Sequence, residues 1–533
     1  MLFLDCDFMV KRIHYFVIFL LVSMIFFIHG CSCAPKLTPE DRKRDIQFLA
    51  DWAKDYNPFV EVNEKYKNAP SYQALLSRYL EFAENAQNNE EFLQVANGYF
   101  EVISGSCHFY LIKNDELLKW AKIASFLGIL KVGVTPKEHE RARYWARLSR
   151  KISTHTHPPF PIVYKEGKYL TDDDWQYDET IIPRGSEIIK VNGMTCSAYL
   201  DFIKKNTSLR YDAFRKDWIK QYLLIIDEGP THRGWQVVFH LTEGPTLKAF
   251  VPKIKGKPAP KPEPVRTVEP KANCTCLELR RDVGYIRIKA CMSGVLSYLF
   301  RGYIKKDRNK IQAFLNQSQG RYNKLIIDFR NNEGGFTQYG YDVLISPFLD
   351  KPAKYSHVVG LKKKYLANTD ESVLKFLRDE VSTKKAHVID VVETEPPTGF
   401  DPNQWTFFKI TRKIEPANRY NFKGDLYVLM NGGCLSTADD TLNAIKRIGL
   451  ATLVGQNSGG GAAGYVAPPM IVLPASGMAF RVETDLVINP DGSINELFGT
   501  PPDIELPDAD PPRSITKEEL LKDEWIRTVI DKL

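Results

Sequence analysis

The chain has 533 residues, 44% of them hydrophobic and 26% charged, with a formal net charge of +7, enough sequence for about three domains with their own cores. The charge excess is slight for this length and forms no basic run interleaved with aromatics, which argues against a nucleic-acid partner. Nine cysteines set out no disulfide framework, and Cys274-Thr-Cys276 lacks a second Cys or His pair at zinc spacing, so the residues point to no metal and no cofactor.

Lys11 and Arg12 precede an apolar run, Tyr15 to Ile28, shorter than the roughly 20 residues of a spanning helix and suited to the core of a signal peptide. Residues 1–30 are therefore read as a leader, with Met9 as an alternative start. Ile28-His29-Gly30-Cys31 resembles a bacterial lipobox, with His29 bulky for its slot. That resemblance implies lipid attachment at Cys31, a membrane tether and a place in the bacterial cell envelope facing the periplasm or exterior. A plain cleaved signal, and hence secretion, is the second reading.

Residues 38–150 read as a helical N-terminal domain. Thr38 is a good N-cap with Pro39 at the first helical position, and Ile46, Leu49, Ala50 and Ala53 recur at helical period. A second helix is expected over Ser71 to Ala86, and a third over Glu91 to Ile103, followed by the run ISGSCHFYL from Ile103 to Leu111. Between 159 and 252 the pattern changes to short strands, with a helical Ser197 to Lys205 after PRGSEIIKVNG (Pro183 to Gly193). Residues 253–271, rich in Lys, Pro and Glu, cannot bury a core and read as a semi-rigid linker.

The core expected over 272–510 restarts with the strand Val283 to Ile288. Lys324 to Phe336, KLIIDFRNNEGGF, is a buried-type strand running into a charged Gly-Gly turn. An insertion of about Lys351 to Tyr420 is expected to cover the cleft. In Gly424 to Gly464 an apolar strand (Leu426 to Met430) passes through Gly-Gly-Cys-Leu to Ser436, at the head of a helix carrying Leu442, Ile445 and Ile448 on one face. A second strand, Ala451 to Val454, ends in a glycine run. A serine at such a turn is held beside the free N–H groups of a helix start, which favour developing negative charge. The plainer reading is a helix cap, with Asp439 completing a capping box. The glycine run lacks the Lys and Ser/Thr of a phosphate loop, because Gly461 and Ala462 follow Gly460. A helical tail is expected over 511–533.

The strand ending in a Gly-Gly turn, the serine-bearing strand-turn-helix, and the late Asn495 to Leu506 (NELFGTPPDIEL) together resemble the family S41 C-terminal-processing (tail-specific) serine peptidases and their tricorn-like relatives. The resemblance covers about Leu277 to Pro507. It implies a multidomain α/β protein with a helical N-terminal domain, a PDZ-like β-rich domain carried by Pro183 to Gly193, and an α/β core of the crotonase/ClpP-like kind. In the branch that uses a Ser/Lys dyad, a Phe-Gly-Lys-Gly loop supplies the lysine. Here Gly461 takes that place, so another base must activate Ser436.

The tricorn-like branch implies that base to be His108, with Glu496 as its orienting acid, Ser106 as a supporting residue, and the Thr437 N–H with a Gly334 or Gly335 N–H as the oxyanion hole. Cys107 and Cys434 are read as small buried fillers rather than nucleophiles. The implied activity is serine endopeptidase hydrolysis of extended or unfolded polypeptides outside the cytoplasm. Two other classes fit the same fold: an inactive peptide-binding scaffold, and a carrier of apolar ligands.

Overall fold

The computed structural model describes residues 34–67, 71–106, 108–112, 136–153, 272–292, 302–369, 385–417, 419–462, 470–507, 512 and 514–533. It also describes 162–252 apart from 166, 172–173, 178–179, 200–209, 213–216, 220–233 and 243. The expected leader, Cys31, Cys107, the expected 253–271 linker and most of the expected 197–205 helix lie outside the described residues.

Five helices open the described chain: α1 (Pro39–Tyr56), α2 (Phe59–Lys67), α3 (Tyr72–Asn85), α4 (Asn89–Ile103) and α5 (Pro136–Ser153). Thr38 and Asp41 close the capping box of α1, and Ser71 caps α3. Between α4 and α5 lies the short strand β1 (Tyr110–Leu111). The helices do not form a separate core. Ile46, Leu49, Phe59, Phe92, Phe100 and Trp145 pack in one continuous cluster with Trp405, Phe407, Phe480, Leu486 and Leu497 from the other end of the chain. The expected N-terminal packing unit is thus fused to the core that it serves.

A β-rich unit follows, with β2 (Ile162–Lys165), β3 (Lys168–Thr171), β4 (Glu187–Val191), β5 (Met194–Thr195), β6 (Gly234–His240) and β7 (Thr246–Pro252). Its sheet runs β7-β6-β4-β3-β2, with β5 paired to β4, around its own core of Ile188, Val191, Val237, Phe239 and Val251.

The catalytic-type sheet contains β8 (Cys274–Arg280), β9 (Val283–Ile288) and β10 (Lys324–Asp328). The helix α6 (Gly302–Gln317) lies between β9 and β10 in sequence. Three strands of a second sheet follow, β11 (Ala353–Lys362), β12 (Ala386–Thr394) and β13 (Trp405–Ile414). The chain then returns to the first sheet as β14 (Asp425–Met430), α7 (Thr437–Ile448) and β15 (Thr452–Gly455). It continues as β16 (Met470–Val472), β17 (Ala479–Arg481), β18 (Asp485–Ile488), β19 (Ile504–Glu505) and α8 (Glu524–Lys532).

The first sheet has the order β8-β9-β10-β14-β15-β19, parallel from β9 onward. Its residues alternate between two cores, as the period of two in a strand requires. Ile286, Leu325, Ile327, Leu426 and Val428 face α6 and α7, while Tyr285, Ile326, Tyr427 and Leu429 face Trp525, Ile526 and Val529 of α8. The core therefore begins one strand earlier than Val283, with Cys274 in β8. The 351–420 segment supplies β11, β12 and β13, which join β18 in an antiparallel sheet of order β12-β13-β11-β18. Its described residues are mostly antiparallel sheet. A third sheet, β1-β17-β16, ties the N-terminal segment to the hairpin at 470–481. Among the described residues no helix is long and apolar enough to cross a membrane.

Candidate active site

The parallel strands β10, β14 and β15 all end at one edge, and their following turns meet there, as is usual for sites in sheets of this kind. The turn after β14 carries Ser436, which has φ 56° and ψ −126°. This left-handed conformation is strained for a non-glycine residue, and such strain persists where surrounding bonds fix it. The Leu435 N–H donates to Asn332 O at 3.0 Å, the Ser436 N–H to Gly460 O at 3.0 Å, and the Gly459 N–H to Cys434 O at 2.9 Å. The glycine run is thus a close-packed backbone support for the serine turn. A Cβ at Gly460 would meet Asn495 O at 2.4 Å.

The capping-box reading of Ser436 does not hold, because the side chain makes no cap hydrogen bond. Asp439 turns away instead. Its Oδ1 accepts from the Ser458 hydroxyl and, at 3.2 Å, from the Thr500 N–H, and burial pushes its carboxyl up to about 6. The Ser436 hydroxyl faces His108, with Oγ 2.9 Å from Nε2.

His108 is 7% exposed and follows α4, as expected. Its Nδ1 contacts Glu483 Oε1. The second carboxylate oxygen of Glu483 accepts from the Ser106 hydroxyl, whose oxygen in turn accepts the His108 N–H at 3.1 Å. Glu483 is fully buried, so its charge acts on His108 with little solvent screening. A carboxylate on Nδ1 fixes the tautomer that leaves Nε2 as a proton acceptor.

The residue expected beside His108, Glu496, is engaged elsewhere. Its Oε2 accepts the Val487 N–H at 3.0 Å, a donor on the outer edge of β18, which is the last strand of its sheet. A buried edge N–H requires an acceptor, and Glu496 supplies it. Burial first, and then the charge of Glu483, raise the Glu496 carboxyl well above the usual range. Glu483 carried no motif of its own. MAFRVETDLVI (Met478 to Ile488) carries Arg481, Glu483 and Asp485, and nothing in the run singles out Glu483 among them.

The Gly-Gly turn after β10 lies against the serine turn. Gly334 has φ 93° and Gly335 φ 144°, and a Cβ at Gly334 would fall 2.6 Å from Leu435 O and 2.9 Å from both Ser436 Cβ and Thr437 N. The Gly334 N–H donates to Asn332 Oδ1 at 2.9 Å, so of the two expected glycine donors this one is already occupied. Among the described residues the N–H groups of Gly335 and Thr437 have no hydrogen-bond partner. Gly335 is exposed and Ser436 half-buried, which leaves this side of the site open. Beneath it, buried Arg330 bonds Asp328 and Asp523, and Arg287 and the Tyr285 hydroxyl also contact Asp328.

Cys434 is buried, and its thiol donates to Phe329 O at 3.1 Å. Burial raises it to about 12, so at neutral pH it is a protonated filler rather than a nucleophile.

Residues 282–506 match the model of peptidase family S41. It is this segment, less than half of the chain, that matches the S41 peptidases. The fold of the chain is similar to that of mature CPAF complexed with lactacystin, at 15% identity and a TM-score of 0.52, with 93% of this chain and 98% of that chain covered. Mature CPAF in a second structure gives the same TM-score of 0.52 at 15% identity, covering 89% of this chain and 93% of that one. The photosystem II D1 C-terminal processing protease aligns at 14% identity, TM-score 0.36, over 88% of this chain and 93% of its own. No curated protein matches the sequence. The matched segment contains Ser436, Glu483, Glu496 and the Gly-Gly turn, and His108 enters from outside it.

Proposed function

We propose that this S41 core is a serine endopeptidase acting on extended polypeptides, with Ser436 as nucleophile, His108 as general base and Glu483 as the acid that orients it. The observation that carries the reading is the continuous contact from Glu483 through His108 to the Ser436 hydroxyl, 2.9 Å from Nε2. Ser436 Oγ attacks the scissile carbonyl carbon as its proton passes to His108 Nε2. The carbonyl oxygen takes up negative charge between the Thr437 and Gly335 N–H groups. Collapse breaks the C–N bond, and the amine leaves with the proton held by His108. Water, deprotonated by His108, then releases the acyl group and restores Ser436.

A histidine base in place of the dyad lysine supports assignment to the tricorn-like branch, and the β2–β7 unit supports a PDZ-like module that adds an extended peptide as a strand. The apolar leader and Cys31 support export and a lipid tether at a bacterial envelope. Cleavage of casein by the chain from Thr38 onward tests the activity. Ser436→Ala and His108→Ala are each expected to lower kcat by a factor on the order of a thousand or more, and full activity in Ser436→Ala overturns the reading.

A further inference from the structure

The hairpin that delivers Glu483 has an unusual turn. Between β16 and β17 the backbone at Leu473 to Met478 is irregular but buried, with Ser476 fully enclosed and Ala475 nearly so. A buried loop must find partners for its polar backbone groups. Here they come from helices more than 300 residues away in sequence. Asp45 of α1, itself fully buried, accepts the Ala475 N–H on Oδ1 and the Ser476 N–H on Oδ2, each at 2.8 Å. The Trp145 indole of α5 donates to Ser476 O at 2.8 Å, and Arg141 donates to Ala475 O at 3.2 Å. Gly477, at φ 76°, lets the turn pass against Arg141, where a Cβ would lie 2.5 Å from the Arg141 Cβ.

From this turn β17 runs directly to Glu483, and β17 pairs with β1, which follows His108. We infer that Asp45 is a positioning residue of the peptidase site, clamping the 473–478 turn so that β17 holds Glu483 against His108. This inference rests on the triad reading above. Burial raises the Asp45 carboxyl above its ordinary value, and the hydrogen bonds from the turn offset only part of that rise. A carboxylate kept in so dry a place costs stability unless its oxygens are matched, and the two N–H groups match them. Apolar cover over the same turn would leave the Ala475 and Ser476 N–H groups buried without an acceptor. A doubly accepting carboxylate instead fixes the turn in position and orientation, which is what a site sensitive to displacements of about 1 Å requires.

The test measures the rate at which a fluorophosphonate labels Ser436, together with kcat and KM on casein, in the chain from Thr38 onward. Asp45→Asn presents one acceptor oxygen where the carboxylate presents two, and is expected to lower kcat and the labelling rate roughly 10- to 100-fold, with KM within about twofold. Trp145→Phe, which keeps a large ring and removes the indole donor, is expected to act in the same direction. In a Glu483→Gln background Asp45→Asn is expected to add less than about twofold, because its effect passes through Glu483. A general loss of structure would instead multiply the two effects, and that outcome overturns the inference, as does wild-type labelling in both single variants.

If Ser436→Ala is as active as wild type, or the wild type is inert, the triad reading fails by itself. The clamp is then judged by amide hydrogen exchange, which does not depend on activity. Faster exchange across 473–483 in Asp45→Asn sustains it, and unchanged exchange there overturns it.

Discussion

His108 and Glu483 meet because of a strand register. β1 and β17 pair antiparallel with Tyr110 opposite Arg481 and Leu111 opposite Phe480, and the same register carried two residues further sets His108 against Glu483. The imidazole and the carboxylate lie 375 positions apart in sequence, and two ladder pairs bring them together. The Tyr110 hydroxyl also accepts a hydrogen bond from Arg481 at 3.1 Å, so side chains reinforce the register that the backbone sets.

The two glutamates of this region are expected to respond differently to loss of charge. Glu483→Gln removes the carboxylate from His108 Nδ1 and lets the amide present its NH₂ there, so kcat is expected to fall on the order of a hundredfold or more. Glu496→Gln keeps an oxygen for the Val487 N–H and replaces a carboxyl already held well above its ordinary range, so activity should stay within a few-fold of wild type. Steady-state kinetics on casein at neutral pH compares them. A dead Glu496→Gln beside an active Glu483→Gln would reverse the assignment.

What the sequence made legible, and what it hid, follows from the range of the interactions involved. The strand–turn–helix around Ser436 is local: apolar runs, a Gly-Gly turn and an amphipathic helix lie within 25 or so residues, and they fold as read. The Gly-Gly turn after β10 is equally local. His108 was reachable through the family resemblance, since nothing in ISGSCHFYL itself requires a base. The contact of Glu483 with His108 was hidden because it depends on a pairing between β1, a strand of two residues, and β17, a strand of three, and strands so short carry no periodicity. Glu496 lies in the expected motif, and that its carboxylate goes to the β18 edge rather than to His108 depends on tertiary packing that the motif does not encode.

Gly334 should tolerate no side chain. At φ 93°, with Leu435 O 2.6 Å and Thr437 N 2.9 Å from the place of a Cβ, Gly334→Ala must either move the serine turn or abandon its own. A cost of about 1–3 kcal/mol is expected for the conformation alone, together with a drop in Ser436 phosphonate labelling of at least roughly tenfold. Thermal unfolding and labelling kinetics on the same sample separate the two effects. Gly320, at φ 75° with open space around it, is a control in which Gly→Ala should cost stability but leave labelling unchanged.

Arg330 joins the serine edge to the C-terminal helix. Its guanidinium is fully buried, bonds Asp328 and Asp523, and lies 5.4 Å from the Trp525 ring centroid. Arg330→Met removes the positive charge that compensates two buried carboxylates, which is expected to cost about 3–5 kcal/mol. The guanidinium and Arg287 hold the Asp328 carboxyl far below its usual range against the opposing effect of burial. A depressed carboxyl contributes stability that is present above its unfolded value near 3.8 and is lost as pH falls below it. Urea midpoints at pH 7 and pH 3 should therefore differ more for wild type than for Arg330→Met.

Asp439 carries the opposite sign. Its carboxyl is raised from 3.8 to about 6 by burial, so the folded state binds the proton more tightly than the unfolded chain. Its contribution is most favourable below pH 3.8, weakens as pH rises through the interval to about 6, and is flat above that. Asp439→Asn removes this titration. The stability difference between the variant and wild type is expected to shift in favour of the variant between pH 4 and pH 7, by up to about 3 kcal/mol at 1.36 kcal/mol per unit. Urea unfolding at both pH values measures it. A difference independent of pH would mean that Asp439 is ionised in the fold as readily as in water.

Cys434, two residues before Ser436, is where a cysteine mechanism at the serine turn would reside. Its side chain is fully buried, it donates to Phe329 O rather than facing His108, and burial raises it to about 12. Thiolate at neutral pH is therefore negligible, and Cys434→Ala should hydrolyse casein within a few-fold of wild type while losing about 1 kcal/mol or somewhat more for the vacated space, since Phe329 O keeps the Asn332 N–H at 3.1 Å. Iodoacetamide should leave the native wild type active over the same period in which a fluorophosphonate abolishes activity. Rapid inactivation by the thiol reagent, prevented by Cys434→Ala, would place the nucleophile at sulfur and remove Ser436 from that role.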